Sequence, residues 1–140
     1  MAQKYIVGDV VMYGNKIMVV KEPRDGSHFD LSCPKEWLVY CIVDIDEIKP
    51  VNITQEILEK NGWKKEVMSR GVKNSHWVYT KPDIEEYGYF PIYIEKGIGD
   101  EFDVYPFTGN NVCTQIAYIK YVHQLQHLLF GLGLNSEMEV

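Results

Sequence analysis

One long apolar stripe near the C-terminal end most limits what this chain can fold into. From residue 116 to 132 the apolar side chains recur with a period of about 3.6 residues. At about 100° per residue, Tyr118, Tyr121, Val122, Leu125, Leu128, Leu129 and Leu132 fall within about one third of a helical circumference. Lys120, His123, Gln124 and His127 fall on the opposite side, and Gly131 and Gly133 end the pattern. The spacing predicts a helix over 116–132 with one face to bury. Such a face needs a sheet or another helix to cover it.

The remaining segments supply sheets. Two short β-type runs, 10–13 and 16–20, are separated by Gly14-Asn15, a hairpin signal because both residues reach positive φ easily. Aromatic and β-branched residues from 37 to 43 predict a third strand, and 44–50 a short fourth. Pro23, Asp25, Gly26, Ser27 and Pro34 predict a surface loop over 23–35. Pro50 marks a boundary between 1–50 and 51–140. Beyond it, Thr54 is placed to cap a short helix over 55–61, with Glu56 and Glu59 early, Lys60 late and Gly62 as its stop. Runs at 63–68, 77–80, 89–95 and 102–107, punctuated by Gly and Asn, read as an antiparallel meander.

Composition narrows the class without naming a function. A chain of 140 residues with 46% hydrophobic and 24% charged residues is of ordinary globular type, not collagenous, coiled-coil or disordered. Its net charge of −6 counts against long nucleic acids. The first fifty residues, with six basic and eight acidic groups, do likewise. No apolar run approaches the roughly 20 residues of a membrane span, and residues 1–9 lack a leader pattern. The expectation is a cytoplasmic protein without a membrane partner. Cys33, Cys41 and Cys113 are odd in number and form no Cys-x-x-Cys pair, so buried reduced thiols are expected.

Three constellations carry candidate chemistry. His123 and His127 lie at i and i+4 on the predicted helix, a spacing that can hold one metal ion. The residue after the first histidine is Gln124, however, where a zinc protease needs a glutamate base. The same residues also suit a polar face bonded to neighbouring loops. With Lys120 and Gln124 they form a donor-rich stripe for a carboxylate, a phosphate or a base edge.

The second is the stretch 60–77. It holds Lys60, Lys64, Lys65, Arg70, Lys73 and His76 against Glu66 alone, between Trp63 and Trp77. Cations interleaved with aromatics fit a flat anion, and equally a solvated edge that blunts sheet pairing. The acidic residues Asp83, Glu85, Glu86, Glu95, Asp100, Glu101 and Asp103 suit a self-contact with that stretch. Third, Tyr87, Tyr89, Tyr93 and Tyr105 lie in or beside predicted strands and read best as core. No Gly-rich phosphate loop or Gly-x-Ser-x-Gly motif is present, and Gly97-Ile98-Gly99 reads as a turn.

Two resemblances add to this reading. Val7-Gly8-Asp9-Val10-Val11 with its hairpin looks like the opening of a small SH3-like barrel. The run from Tyr118 through Tyr121-Val122-His123-Gln124-Leu125-Gln126-His127-Leu128 to Gly131-Leu132-Gly133-Leu134 resembles the C-terminal signature of an uncharacterised family. That family is encoded by phages, prophages and mobile elements of Bacteroidetes. The stretch from Ile53 to Asn61-Gly62-Trp63 is similar to its helix ending in Asn-Gly-aromatic. The resemblance implies mobile-element origin and a bacterial cytoplasm, and it carries no catalytic residue.

The resulting expectation is an α+β chain. It has an N-terminal SH3-like β subdomain (1–50), then an α+β subdomain (51–140) with an antiparallel meander, a short helix and a long C-terminal helix packed on the sheet. The expected function is a non-catalytic accessory binding protein that sequesters an anionic, nucleotide-type small molecule in counter-defence. Its ligand-binding residues would be Lys65, Arg70, Lys73, Trp77, Lys120, His123, Gln124 and His127. The alternatives are a host-protein-binding inhibitor or adaptor, and a metal-dependent hydrolase using His123 and His127. No cofactor is called for, and a homo-oligomer is compatible with the charge pattern.

Overall fold

The structure, a computed structural model, describes residues 5–69, 75–81, 92–96, 101–106 and 117–140. The chain divides into two units, Met1–Asn52 with Tyr121–Val140, and Ile53–Lys120. It therefore passes between them twice, at 52–53 and at 120–121. In the first unit Asn52 bridges Tyr121, and Val122 N–H donates to Val51 O at 2.8 Å. In the second, Ile53 N–H donates to Lys120 O at 2.9 Å.

Among the described residues, the first unit holds a five-stranded antiparallel sheet and one α-helix. Its strands are β1 (Val10–Tyr13), β2 (Lys16–Asp25), β3 (His28–Cys33), β4 (Leu38–Asp44) and β5 (Ile48–Pro50), in the order β4-β3-β2-β1-β5. The Gly14-Asn15 hairpin forms as expected, with Tyr13 paired to Lys16. The predicted loop over 23–35 does not. Residues 23–25 and 28–33 are strand, and only Gly26-Ser27 turn the chain between paired Asp25 and His28. One oxygen of Asp25 accepts the Ser27 and His28 N–H groups at 2.8 and 2.9 Å, so a carboxylate makes the tight turn. Pro23 adjoins one of two register shifts, where a missing N–H is tolerated. Alternation then buries Phe29, Leu31 and Cys33 with Val11, Met18, Val20 and Val43.

A 3-10 turn, Ile45–Glu47, links β4 to β5, with Asp44 accepting Asp46 N–H at 2.9 Å. Cys33 is a buried thiol as expected, but Cys41 is exposed on β4.

The C-terminal helix, Val122–Gly131 (α2 in chain order), is shorter than its apolar stripe. Residues Ala117–Ile119 instead form a strand, and Tyr121 caps the helix. Paired backbone groups there outcompete a continuing helix, because each would otherwise need a partner inside one. Gln124 Oε1 accepts the Tyr121 N–H at 3.0 Å and so satisfies the helix entrance. The helix packs against β1 of the first unit, which corrects the expectation that it would cover the meander.

The second unit opens with α1 (Gln55–Lys60), capped as expected by Thr54 Oγ1 accepting Ile57 N–H at 3.2 Å. Gly62, at φ 89°, reverses the chain, and Trp63 N–H donates to Leu58 O at 3.0 Å. Then follow β6 (Lys64–Ser69), β7 (Ser75–Thr80), β8 (Ile92–Lys96), β9 (Phe102–Pro106) and β10 (Ala117–Ile119) as an antiparallel meander in chain order. Leu58, Trp63, Val78, Tyr79, Ile94, Phe102 and Val104 are buried. Tyr93 is buried too, and Tyr87 and Tyr89 lie outside the described residues. Among the described residues, two antiparallel sheets and two short helices give an α+β architecture. Among the described residues no helix is long and apolar enough to cross a membrane.

Candidate functional site

The convergence of polar groups in the first unit begins at a turn. Ile6 O accepts Asp9 N–H at 3.1 Å, and Gly8 takes φ 94°, a conformation that favours glycine. The turn folds over its own carboxylate, because Ile6 N–H donates to Asp9 Oδ2 at 2.8 Å. Gly8 N–H and Asp9 O then bond to Val20, which fixes the turn to β2. Asp9 is thereby buried at the start of the sheet.

The helix Val122–Gly131 brings the partners. His127 Nε2 lies 2.9 and 2.8 Å from the two Asp9 oxygens. Gln126, also buried, binds the same turn with both ends of its amide. Its Oε1 accepts Val10 N–H at 2.8 Å, and its Nε2 donates to Gly8 O at 2.9 Å and Ser136 O at 3.1 Å. His123 is only 2% exposed. Its ring stands edge-on to Tyr5 at 5.2 Å and to His127 at 5.6 Å, and stacks on Tyr121 at 5.8 Å.

Burial sets the charges here. It raises the Asp9 carboxyl above its ordinary range, against the lowering by the Ile6 N–H and by His127. Burial, with neighbouring His127, depresses His123 to about 4, so this imidazole is neutral at physiological pH. Burial, then Asp9 and Tyr121, raise the Tyr5 phenol.

A cleft of about 580 Å³ adjoins this cluster. Ile6, Val7, Pro23 and Phe130 give it apolar walls, and Asp9 and Gln126 lie on its polar side. The amide and carboxylate atoms are engaged within the chain, so the cleft offers mainly apolar surface to an occupant. Phe130 is 67% exposed at its rim.

The residues expected to bind a ligand separate accordingly. His123 and His127 come together, but not as a solvent-facing stripe: His123 is buried, which corrects its placement on the polar face. Helical angle reports direction only, and the N-terminal segment covers that side. Gln124 is spent on the helix entrance. Lys65 is exposed on β6, opposite Tyr79, and Trp77 pairs with Val67 across the same two strands. Lys120 ends the second unit. Arg70 and Lys73 lie outside the described residues. The basic set thus belongs to the second unit and the histidines to the first. Trp63 is 2% exposed, so it is core rather than a stacking platform.

Among the described residues no three His, Cys, Asp or Glu side chains group as a metal site. Sequence reading missed Asp9, Gln126 and Tyr5. Asp9 meets His127 across 118 positions, and no local pattern reports such a pair. No protein-family model, curated protein or solved structure matches the chain.

Proposed function

We propose that this chain is a non-catalytic binding protein that engages an apolar segment of another protein through the cleft beside Ile6, Val7 and Phe130. The carrying observation is a cleft of about 580 Å³ with exposed apolar walls on a hydrogen-bonded frame. Asp9, His127 and Gln126 act as that frame: they clasp the turn to the helix and hold the walls apart. The strand order β5-β1-β2-β3-β4, with a 3-10 turn before β5, supports an SH3-like reading of the sheet. The resemblance of the C-terminal helix to mobile-element proteins of Bacteroidetes favours a host protein as the partner, bound as an inhibitor or adaptor. A buried His123 and a His127 committed to Asp9 favour binding over metal-assisted hydrolysis.

Phe130→Asp and Val7→Asp change exposed walls without touching the core. A partner isolated on the wild-type protein should bind it in calorimetry and lose affinity for both variants, while Lys65→Glu keeps it. Equal binding by all four proteins would refute the reading.

Exposed Lys60, Lys64 and Lys65 support a second reading, sequestration of an anionic nucleotide-type ligand by the second unit. Thermal shift against linear and cyclic nucleotides tests it. A shift lost in Lys65→Glu supports this reading, and the absence of any shift removes it.

A further inference from the structure

Asn61-Gly62 is the one Asn-Gly pair in the sequence, and it closes α1. An asparagine before glycine carries its own reactivity. The Gly62 nitrogen can attack the side-chain carbonyl carbon of Asn61, and no Cβ on residue 62 stands in the way. The bond from that carbon to the side-chain nitrogen breaks. The nitrogen leaves as ammonia with the Gly62 amide proton, and a cyclic succinimide remains. Water then opens the ring at one carbonyl or the other and leaves aspartate or isoaspartate. The folded turn opposes each part of this step. Asn61 has ψ 17°, which sets the Gly62 nitrogen beside the Asn61 nitrogen and turned away from Cβ, where the ring would close. The Gly62 N–H donates to Glu59 O at 3.1 Å, and Asn61 Nδ2 donates to Ile57 O at 2.7 Å. Trp63, buried next door, donates its N–H to Leu58 O at 3.0 Å and holds Gly62 at φ 89°. Asn61 is only half-buried and Gly62 is exposed, so water reaches the pair. Geometry protects it, not exclusion of solvent.

We propose that Asn61 is a covalent modification site gated by α1. It is closed in the native turn, is converted by cyclisation and hydrolysis when the helix end opens, and prevents that end from closing as before. A helix of six residues depends on its packing, and such elements open locally. Either product removes the Nδ2 donor from Ile57 O. Either also sets a carboxylate at the carbonyl end of a helix, where the partial charge is already negative. Isoaspartate adds one backbone atom between residues 61 and 62, so the Trp63 N–H cannot meet Leu58 O while the indole keeps its place in the core. Loss of ammonia makes the step one-way. The second unit therefore keeps a chemical record of having opened.

The test is mass spectrometry of the full-length chain after incubation at mildly alkaline pH, folded or in urea. Cleavage after glutamate releases the fragment Lys60–Glu66, in which Asn61 is the sole side-chain amide, so its mass reports this site alone. Conversion should be more than about tenfold slower in the folded protein than in urea, because only the open fraction reacts. Asn61→Gln, whose longer side chain must close a six-membered ring, should stay unconverted in both. Thr54→Ala removes the cap at the far end of α1 and should speed conversion of the folded protein about threefold or more. Asn61→Asp, which carries one product from the start, should lower the thermal unfolding midpoint by about 2 °C or more. Equal rates in the folded protein and in urea overturn the proposal, as does a fragment that never changes in urea. A Thr54→Ala chain that converts at the wild-type rate shows that α1 is not the gate. An Asn61→Asp chain with the wild-type midpoint shows that the turn closes over the product, and it rejects the one-way change.

Discussion

Lowering the pH from 7 towards 4 should weaken the first unit chiefly through His123. This imidazole is depressed from 6.5 to about 4 by burial among Tyr5, Tyr121 and His127. In the folded state it stays neutral through that range, while in the unfolded chain it takes a proton near its ordinary value. Unfolding therefore binds about one extra proton between these values, and stability falls as pH falls. The slope approaches 1.4 kcal/mol per pH unit at about one proton. The depression amounts to about 3 kcal/mol in full, of which about 2 kcal/mol is lost by pH 5.

Asp9 has the opposite sign. Its raised carboxyl takes a proton more readily when folded, so acid relieves a cost there. Asp25, held near 2 by the Ser27 N–H and by His28, and the lowered Asp30 weaken the fold only in stronger acid. Urea unfolding at a series of pH values, for the wild type and for His123→Phe, isolates the histidine. The substitution carries its own fixed effect on stability, but on acidification the wild type should lose about 3 kcal/mol relative to the variant. Curves that stay parallel between pH 6.5 and 4.5 would refute the assignment of His123 as a buried neutral base.

Two further outcomes follow from the same packing. Gln126→Ala strands Val10 N–H and Gly8 O at the foot of the sheet and should cost about 2–4 kcal/mol in urea unfolding; a loss under about 1 kcal/mol would mean that water repairs both groups. Trp63→Ala should lower the unfolding free energy by about 3–5 kcal/mol, as for a core aromatic. Lys65→Ala, exposed two positions later, should change it by less than about 0.5 kcal/mol, and the reverse ranking would restore Trp63 as a surface platform.

Elements held by neighbours in sequence were legible. Thr54 and Gly62 bound their helix because a hydroxyl and a left-handed glycine act within one turn of it. Gly14-Asn15 made its hairpin for the same local reason. The stretch 23–33 was misread because strand pairing hides there: polar residues and Pro23 look like loop until β3 supplies the partner. The helix start was misplaced by six residues, because 117–119 pair with β9 and Tyr121 bridges Asn52. In the candidate site, His127 was legible as a residue and illegible as a role. Its partner Asp9 lies at the other end of the chain, and the cleft arises only when both ends meet.

The sequence alone determined the class of the chain: alternating strands, a capped short helix and one amphipathic helix leave an α+β architecture. It also determined that 60–77 is basic within an acidic protein. Tertiary structure decided which unit the last helix serves, that His123 is buried and neutral, and that β4 is an apolar edge. The difference is one of range. Propensity, capping and turn chemistry act over a few residues and are written locally. Burial and pairing depend on distant segments, and their register is set only when the sheet assembles.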